Sequence, residues 1–327
     1  MKKLSTFALL LTLLTLAGTR PAAATIRRVT SSGATGTNVY ATIDAAQNAA
    51  LAKDTVQVEP GTYNAFNCTK NLRFVGTGYL LTQNPGLQAI TQPAIIQGIQ
   101  MQGGSSGASL TGLTITGYLY VNESNITIER CRVNTGLYLG NNGSTANIVL
   151  RQNYIDFLSF SSSGNAYIAN NLIASSLNSA GAANWSGDFV HNNVGTSGAV
   201  TAQYLDNFVV RNNIFNNNYI NGTSSATFSH NIFIGNSGLT GNNNQNNVPT
   251  ANLYATPNAG SEDGRYQLKP SPNPARGTGF GGADIGAFGG TNPYRPSGIP
   301  NVPSVYQFDI PISGGNINAT ISTRANN

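Results

Sequence analysis

Apolar and polar residues alternate along the middle of the chain, as in Ile126/Ile128, Ile148/Leu150 and Phe208/Val210. A period of two predicts strands with one face turned inward. The alternation itself repeats. Seven segments align without gaps, at residues 107–115, 125–133, 147–155, 165–173, 187–195, 207–215 and 225–233, their starts 18, 22, 18, 22, 20 and 18 residues apart. Each begins with Asn, Gly or Ser, residues that suit a turn. Shorter runs at 117–122, 136–140, 157–160, 199–203 and 219–221 lie between them. One such run plus an aligned pair of strands gives three strands per turn. A coil of that kind buries its apolar face only by stacking on its neighbours.

The seventh position of the unit reads Leu113, Cys131, Asn153, Asn171, Asn193, Asn213 and Asn231. A large apolar residue stands two positions after every one of these Asn except Asn193, where Gly195 takes its place. Asn enters the left-handed region cheaply, so it can turn the chain between strands. Stacked at about 4.8 Å, the five Asn form an inward ladder that satisfies polar groups otherwise costly in a dry core. Cys131 shares this column. Cys68 lies about three coils earlier, roughly 14 Å along the axis, beyond the reach of a disulfide.

Composition sharpens the picture. Charged residues make up 9% of the chain, against about 25% in an ordinary globular protein. The wealth of Ile, Val, Thr, Tyr and Phe argues against disorder. At the start, Lys2 and Lys3 precede an apolar run at 7–16, and Ala22-Ala23-Ala24 offers a cleavage site before Thr25, the pattern of a signal peptide. The run is too short to span a bilayer. Losing Lys2, Lys3 and Arg20 takes the formal charge from +5 to +2. The remaining Lys and Arg form no basic cluster, so nucleic acid is excluded as a partner.

The stretch Thr42-Ile43-Asp44-Ala45-Ala46, followed by Asp54-Thr55-Val56-Gln57-Val58-Glu59-Pro60-Gly61-Thr62-Tyr63, resembles the beginning of pectate-lyase-like, right-handed parallel β-helix proteins. The far end, from Tyr266-Gln267-Leu268 to Ala283-Asp284-Ile285-Gly286-Ala287-Phe288-Gly289-Gly290, is similar to the tail of many exported β-helix proteins. The resemblance covers residues 42–290. It implies a short amphipathic helix closing one end of the core, with Thr42 as N-cap and Ile43, Ala46 and Leu51 on its apolar face. It specifies fold and not activity, because this superfamily hosts lyases, hydrolases, epimerases, adhesins and proteins without known activity.

Residues for chemistry are few. No Asp-Asp, Arg-x-Lys or stacked carboxylate pair marks a hydrolase, and no acidic cluster promises a Ca²⁺ cage. One column just before the Asn turn reads Glu129, Arg151, Ala169, His191, Arg211 and Ser229. Glu129 and Arg151 are placed to form a surface ion pair. His191 beside Arg211 is the candidate catalytic pair, an imidazole to take a proton and a guanidinium to neutralise a uronate. His230 occupies a neighbouring column two coils away, too far to share a metal with His191. Asp188 stands where other coils have Ala, Ile or Phe, as a paired buried carboxylate or beside a bulge after Trp185. Tyr118, Tyr120 and Tyr138 alternate with leucines and face outward on one strand column. Flat aromatic faces with a polar tip suit sugar rings, and stacked aromatics also stabilise a sheet.

The expected fold is all-β, a single right-handed parallel β-helix with three strands per coil and an N-terminal capping helix. The expected organisation is a signal peptide at 1–24, a helix-bearing segment at 25–53, the β-helix at 54–290 and a cap or appendage at 291–327. The expected protein is secreted, periplasmic or at the cell surface, monomeric, and without metal or cofactor. It binds extracellular polysaccharide through Tyr118, Tyr120 and Tyr138 or acts as a structural or adhesive module. The alternative is a lyase or epimerase of an acidic glycan using His191 and Arg211.

Overall fold

The short alternating runs form short strands, and each coil donates one to each of three parallel sheets. The structure, a computed structural model, describes residues 24–179, 184–196, 201–203, 205, 207–216, 219–221, 227–256, 260–310, 312–313, 316–317 and 319–326. The leader read at 1–24 lies outside them except for its last residue, Ala24. The architecture is an all-β parallel solenoid. In the first sheet Val56 pairs with Phe74, Ile128 with Leu150, and Phe189 with Val210. In the second, Ile115, Val133, Ile155 and Ile173 succeed one another in register. All these side chains are buried. Each stabilises the stack by about 1.5–3 kcal/mol relative to exposure. Phe215 and Phe233 stack at 5.3 Å with planes 12° apart.

The Asn ladder lies inside this stack. Asn171 shows its chemistry: Oδ1 accepts the main-chain N–H of Asn153 at 2.9 Å and its Nδ2 at 3.0 Å. Its own Nδ2 donates to Leu150 O, Ala169 O and the Oδ1 of the next rung. Cys131 N–H closes the ladder on Asn153. At the other end Asn231 donates to Asn244 Oδ1 at 3.1 Å, a rung that the repeat alignment does not contain.

One rung differs from the sequence reading. The residue between Asn171 and Asn213 is Asn192, not Asn193. Gly187 pairs with Phe208 and Phe189 with Val210, so this coil is offset by one from the alignment. The Asn-Asn pair hides the offset, because either residue fits the motif. The offset also removes the Gly195 exception, since Val194 fills the inward column between Ile173 and Phe215. Asp188 turns outward, in register with Tyr167 and Val209, so it is not a buried carboxylate.

The left-handed turn falls one residue before each rung, not on the ladder Asn itself. Arg130, Gln152, Asn170, His191, Asn212 and His230 all have φ between 53° and 58°. A left-handed residue aims its side chain away from the core, and this corner column therefore grips what lies outside it.

What lies outside is the C-terminal segment. The sequence reading carries the β-helix to Gly290, whereas the last strand of the three sheets is Ile232–Phe233. The chain then returns along the corner. Asn212 Oδ1 accepts Phe280 N–H at 2.8 Å, and Asn170 Nδ2 donates to Ala287 O and Gly289 O at 2.9 and 2.8 Å. Gln152 donates to Pro293 O at 2.7 Å, and the buried Arg130 to Ile299 O at 2.8 Å. Tyr294 OH meets Tyr79 OH at 2.6 Å and Asp263 Oδ2 at 3.2 Å inside a buried network. Beyond it, Ser304–Asp309 pairs antiparallel with Thr320–Arg324.

At the N-terminal side, Ile26–Val29 already belongs to the first sheet, beside Thr55–Val58. Helix α1, Ile43–Ala49, starts at Thr42, whose hydroxyl accepts Ala45 N–H at 3.2 Å. Ile43, Ala46 and Ala50 join the core, while Leu51, expected there, is exposed. Lys70 Nζ caps the helix C-terminus by donating to Gln47 O, Asn48 O and Ala50 O, where a cation also complements the helix dipole.

Candidate functional site

Alternation in the third sheet decides what this face offers. Leu119, Val121, Leu137 and Leu139 are buried, so the residues between them point out. Tyr120 pairs with Tyr138 and Tyr118 with Gly136. The three rings touch: centroids are 5.8 Å apart for Tyr118–Tyr120, 5.6 Å for Tyr118–Tyr138 and 5.2 Å for Tyr120–Tyr138. Phe157 extends the cluster from Tyr138 at 5.8 Å. Gly136 makes room, for a Cβ there would lie 2.8 Å from Tyr138 Cε2. Burial, then the neighbouring Tyr118 and Tyr120, raise the Tyr138 phenol above its ordinary pKa, so it stays a neutral hydroxyl near pH 7. Beside the rings runs an open groove of about 500 Å³. Tyr118 and Tyr120 wall it, and Asn67, Gln97, Gln100 and Asp44 supply its polar groups.

The His191–Arg211 pair is arranged differently from the sequence reading. Val190, not His191, shares the column of Arg211, and His191 and His230 both occupy the left-handed corner. Asn212 Oδ1 is held by Phe280 N–H, so its Nδ2 faces His191 Nε2, at 3.1 Å. An amide nitrogen only donates, which leaves the imidazole proton on Nδ1. A Cβ on Gly290 would lie 3.0 Å from the His191 ring, so the returning tail covers the imidazole. Burial lowers the His191 pKa, the main chain at Asp284 works against this, and the Arg211 charge lowers it further. Arg211 itself lies over the Phe280 ring at 5.0 Å. The half-buried imidazole thus has its acceptor nitrogen engaged by Asn212 and one face against the tail at Gly290.

Glu129 and Arg151 meet at 2.9 Å, a partly exposed pair worth roughly 0–1 kcal/mol. Cys68 and Cys131 are both free and buried. Among the described residues, no three His, Cys, Asp or Glu side chains gather into a group able to hold a metal ion, and no helix is long and apolar enough to cross a membrane. Comparison with known proteins finds no matching family model, no matching curated protein and no matching solved structure.

Sequence periodicity predicts the outward tyrosines. The groove beside them depends on residues 65–67 and 97–100, which precede the aligned repeats. The only advance signal for it was the alternation in Phe66-Asn67-Cys68 and Ile99-Gln100-Met101.

Proposed function

We propose that this chain is an exported parallel β-helix protein that binds extracellular polysaccharide on the outer face of its third sheet, with Tyr118, Tyr120 and Tyr138 as the platform. The observation that carries this reading is the contact of three outward phenol rings at 5.2–5.8 Å beside an open groove. Sugar rings have apolar faces and a rim of hydroxyls. An aromatic surface removes the first from water while neighbouring polar groups bond the second. Tyrosine does this at low entropic cost, with two side-chain torsions to fix. Export supplies the context, through the leader pattern before Thr25.

The test is a triple Tyr→Ala variant whose circular dichroism matches the wild type. Glycan-array binding by the wild type and its loss in the variant is the expected result. Equal binding by both, or none by the wild type, overturns the reading.

A further inference from the structure

Tyr120 and Tyr138 belong to a longer column. Strand pairing places Asn67 against Gln100, Gln100 against Tyr120, Tyr120 against Tyr138, Tyr138 against Ser159, and Ser159 against Asn178. Their strand neighbours Phe66, Cys68, Ile99, Met101, Leu158, Phe160 and Leu177 are buried, so the column faces out; Asn67, Gln100, Tyr120 and Tyr138 are four successive rungs open to solvent, whereas Ser159 is buried. These four rungs at about 4.8 Å span about 14 Å along the solenoid axis. Every rung carries an amide or a hydroxyl, and none carries a charge.

The groove beside the column repeats this character. Ala65, Gly98 and Gly117 leave its floor low, Asn67, Gln97 and Gln100 offer amides, and Asp44 is its single ionisable group other than tyrosine. Among the described residues Asp44 forms no ion pair, and no Lys or Arg lines the groove. Lys70, on the same coil as Asn67, is turned away, its ammonium spent on three carbonyls of α1.

We infer that this track binds one linear, uncharged polysaccharide chain, laid along the solenoid axis, and discriminates against polyuronates. The inference rests on the polysaccharide reading above and adds the charge class and direction of the ligand. Amides and phenols donate to and accept from hydroxyls, which every neutral sugar presents around its ring. A uronate carboxylate finds no cation here to offset its desolvation, which costs far more than that of a hydroxyl, and Asp44 repels it. The rung spacing, on the scale of one sugar residue, lets successive rings meet successive rungs.

The experiment is titration of the purified full-length mature protein with neutral oligosaccharides of increasing length (β-glucan, mannan and xylan series) and with oligogalacturonate and oligoalginate. Each series is run at low and high salt. The expected result is binding to a neutral series that tightens as the oligomer lengthens, does not weaken with salt, and drops about tenfold in Gln100→Ala, the loss of roughly one hydrogen bond. Thermal melting of Gln100→Ala checks its fold, and Asn67→Ala serves as a second variant on an exposed rung. Tighter binding of the uronates, with a steep fall in salt, overturns the charge class while leaving the polysaccharide reading intact. Binding to neutral chains that is independent of length, or unaffected by both variants, overturns the track. Binding to neither class overturns both readings.

Discussion

Asn193 Oδ1 accepts the main-chain N–H of Ala287 at 2.9 Å, so the residue beside the ladder serves the tail and not the ladder. The two adjacent asparagines therefore have separable effects. Asn192→Leu strips Asn171 of the acceptor for its N–H and its amide and should cost about 1–3 kcal/mol in urea unfolding. Asn193→Leu should instead expose the segment around Ala287 to limited proteolysis, with a smaller shift in the unfolding midpoint. Equal losses of stability with no new cleavage site would contradict this division.

His191 gives the tail a pH dependence. Its folded pKa lies below the unfolded value of about 6.5, lowered chiefly by burial. Below about pH 6.5 the unfolded chain takes up a proton that the native chain refuses, so stability falls with pH until the folded pKa is passed. His191→Asn keeps a residue suited to positive φ and should flatten this part of the stability curve. Arg211 and Asp284, the charges that face the imidazole, remain in place. An unchanged slope between wild type and variant would show that His191 does not contribute.

The cysteines should be silent in the native protein. Burial pushes the Cys131 thiol up to about 12 and the Cys68 thiol up to about 11, and only a thiolate attacks an alkylating reagent. Native protein should react with neither iodoacetamide nor a thiol dye, while the denatured chain should show both thiols free. A denatured titration without free thiol would reveal a disulfide.

Gly136→Ala tests the platform without touching a tyrosine. The added methyl would meet Tyr138 at 2.8 Å and Phe157 at 3.3 Å, side-chain atoms that must shift to admit it. Near-ultraviolet circular dichroism should change and glycan binding weaken, with stability altered by no more than about 1 kcal/mol. Unaltered ring signals would mean that the cluster is looser than its centroid distances imply.

Much of the solenoid was legible because its cause is local. Alternation of period two names the inward residues, and recurrence of Asn names the ladder to within one position. The position that failed, Asn192 against Asn193, is one where two identical side chains stand together and only Phe189 opposite Val210 selects between them. Of the candidate site, the tyrosines were readable from their leucine neighbours, whereas the covering of His191 was not. It depends on Gly290, 99 positions away, which carries no pattern relating it to the repeat. The buried meeting of Tyr79 with Tyr294 is hidden for the same reason.

The returning tail changes how such a molecule comes apart. In a stack of coils each turn touches only the next, so ends fray and inner turns open independently. Here one strand of chain is pinned at Asn212, Asn170, Gln152 and Arg130 in succession, contacts that reach 169 residues along the sequence at Arg130 and Ile299. No single coil between them can open without straining the lashing on the others. Unfolding becomes all-or-none across that span, and because residues 280–301 leave the ribosome after the coils they bind, the lashing closes last. A chain ending before Phe280 would keep its stacked turns and lose its unity, melting from its ends in a broad transition where the full chain melts in a sharp one.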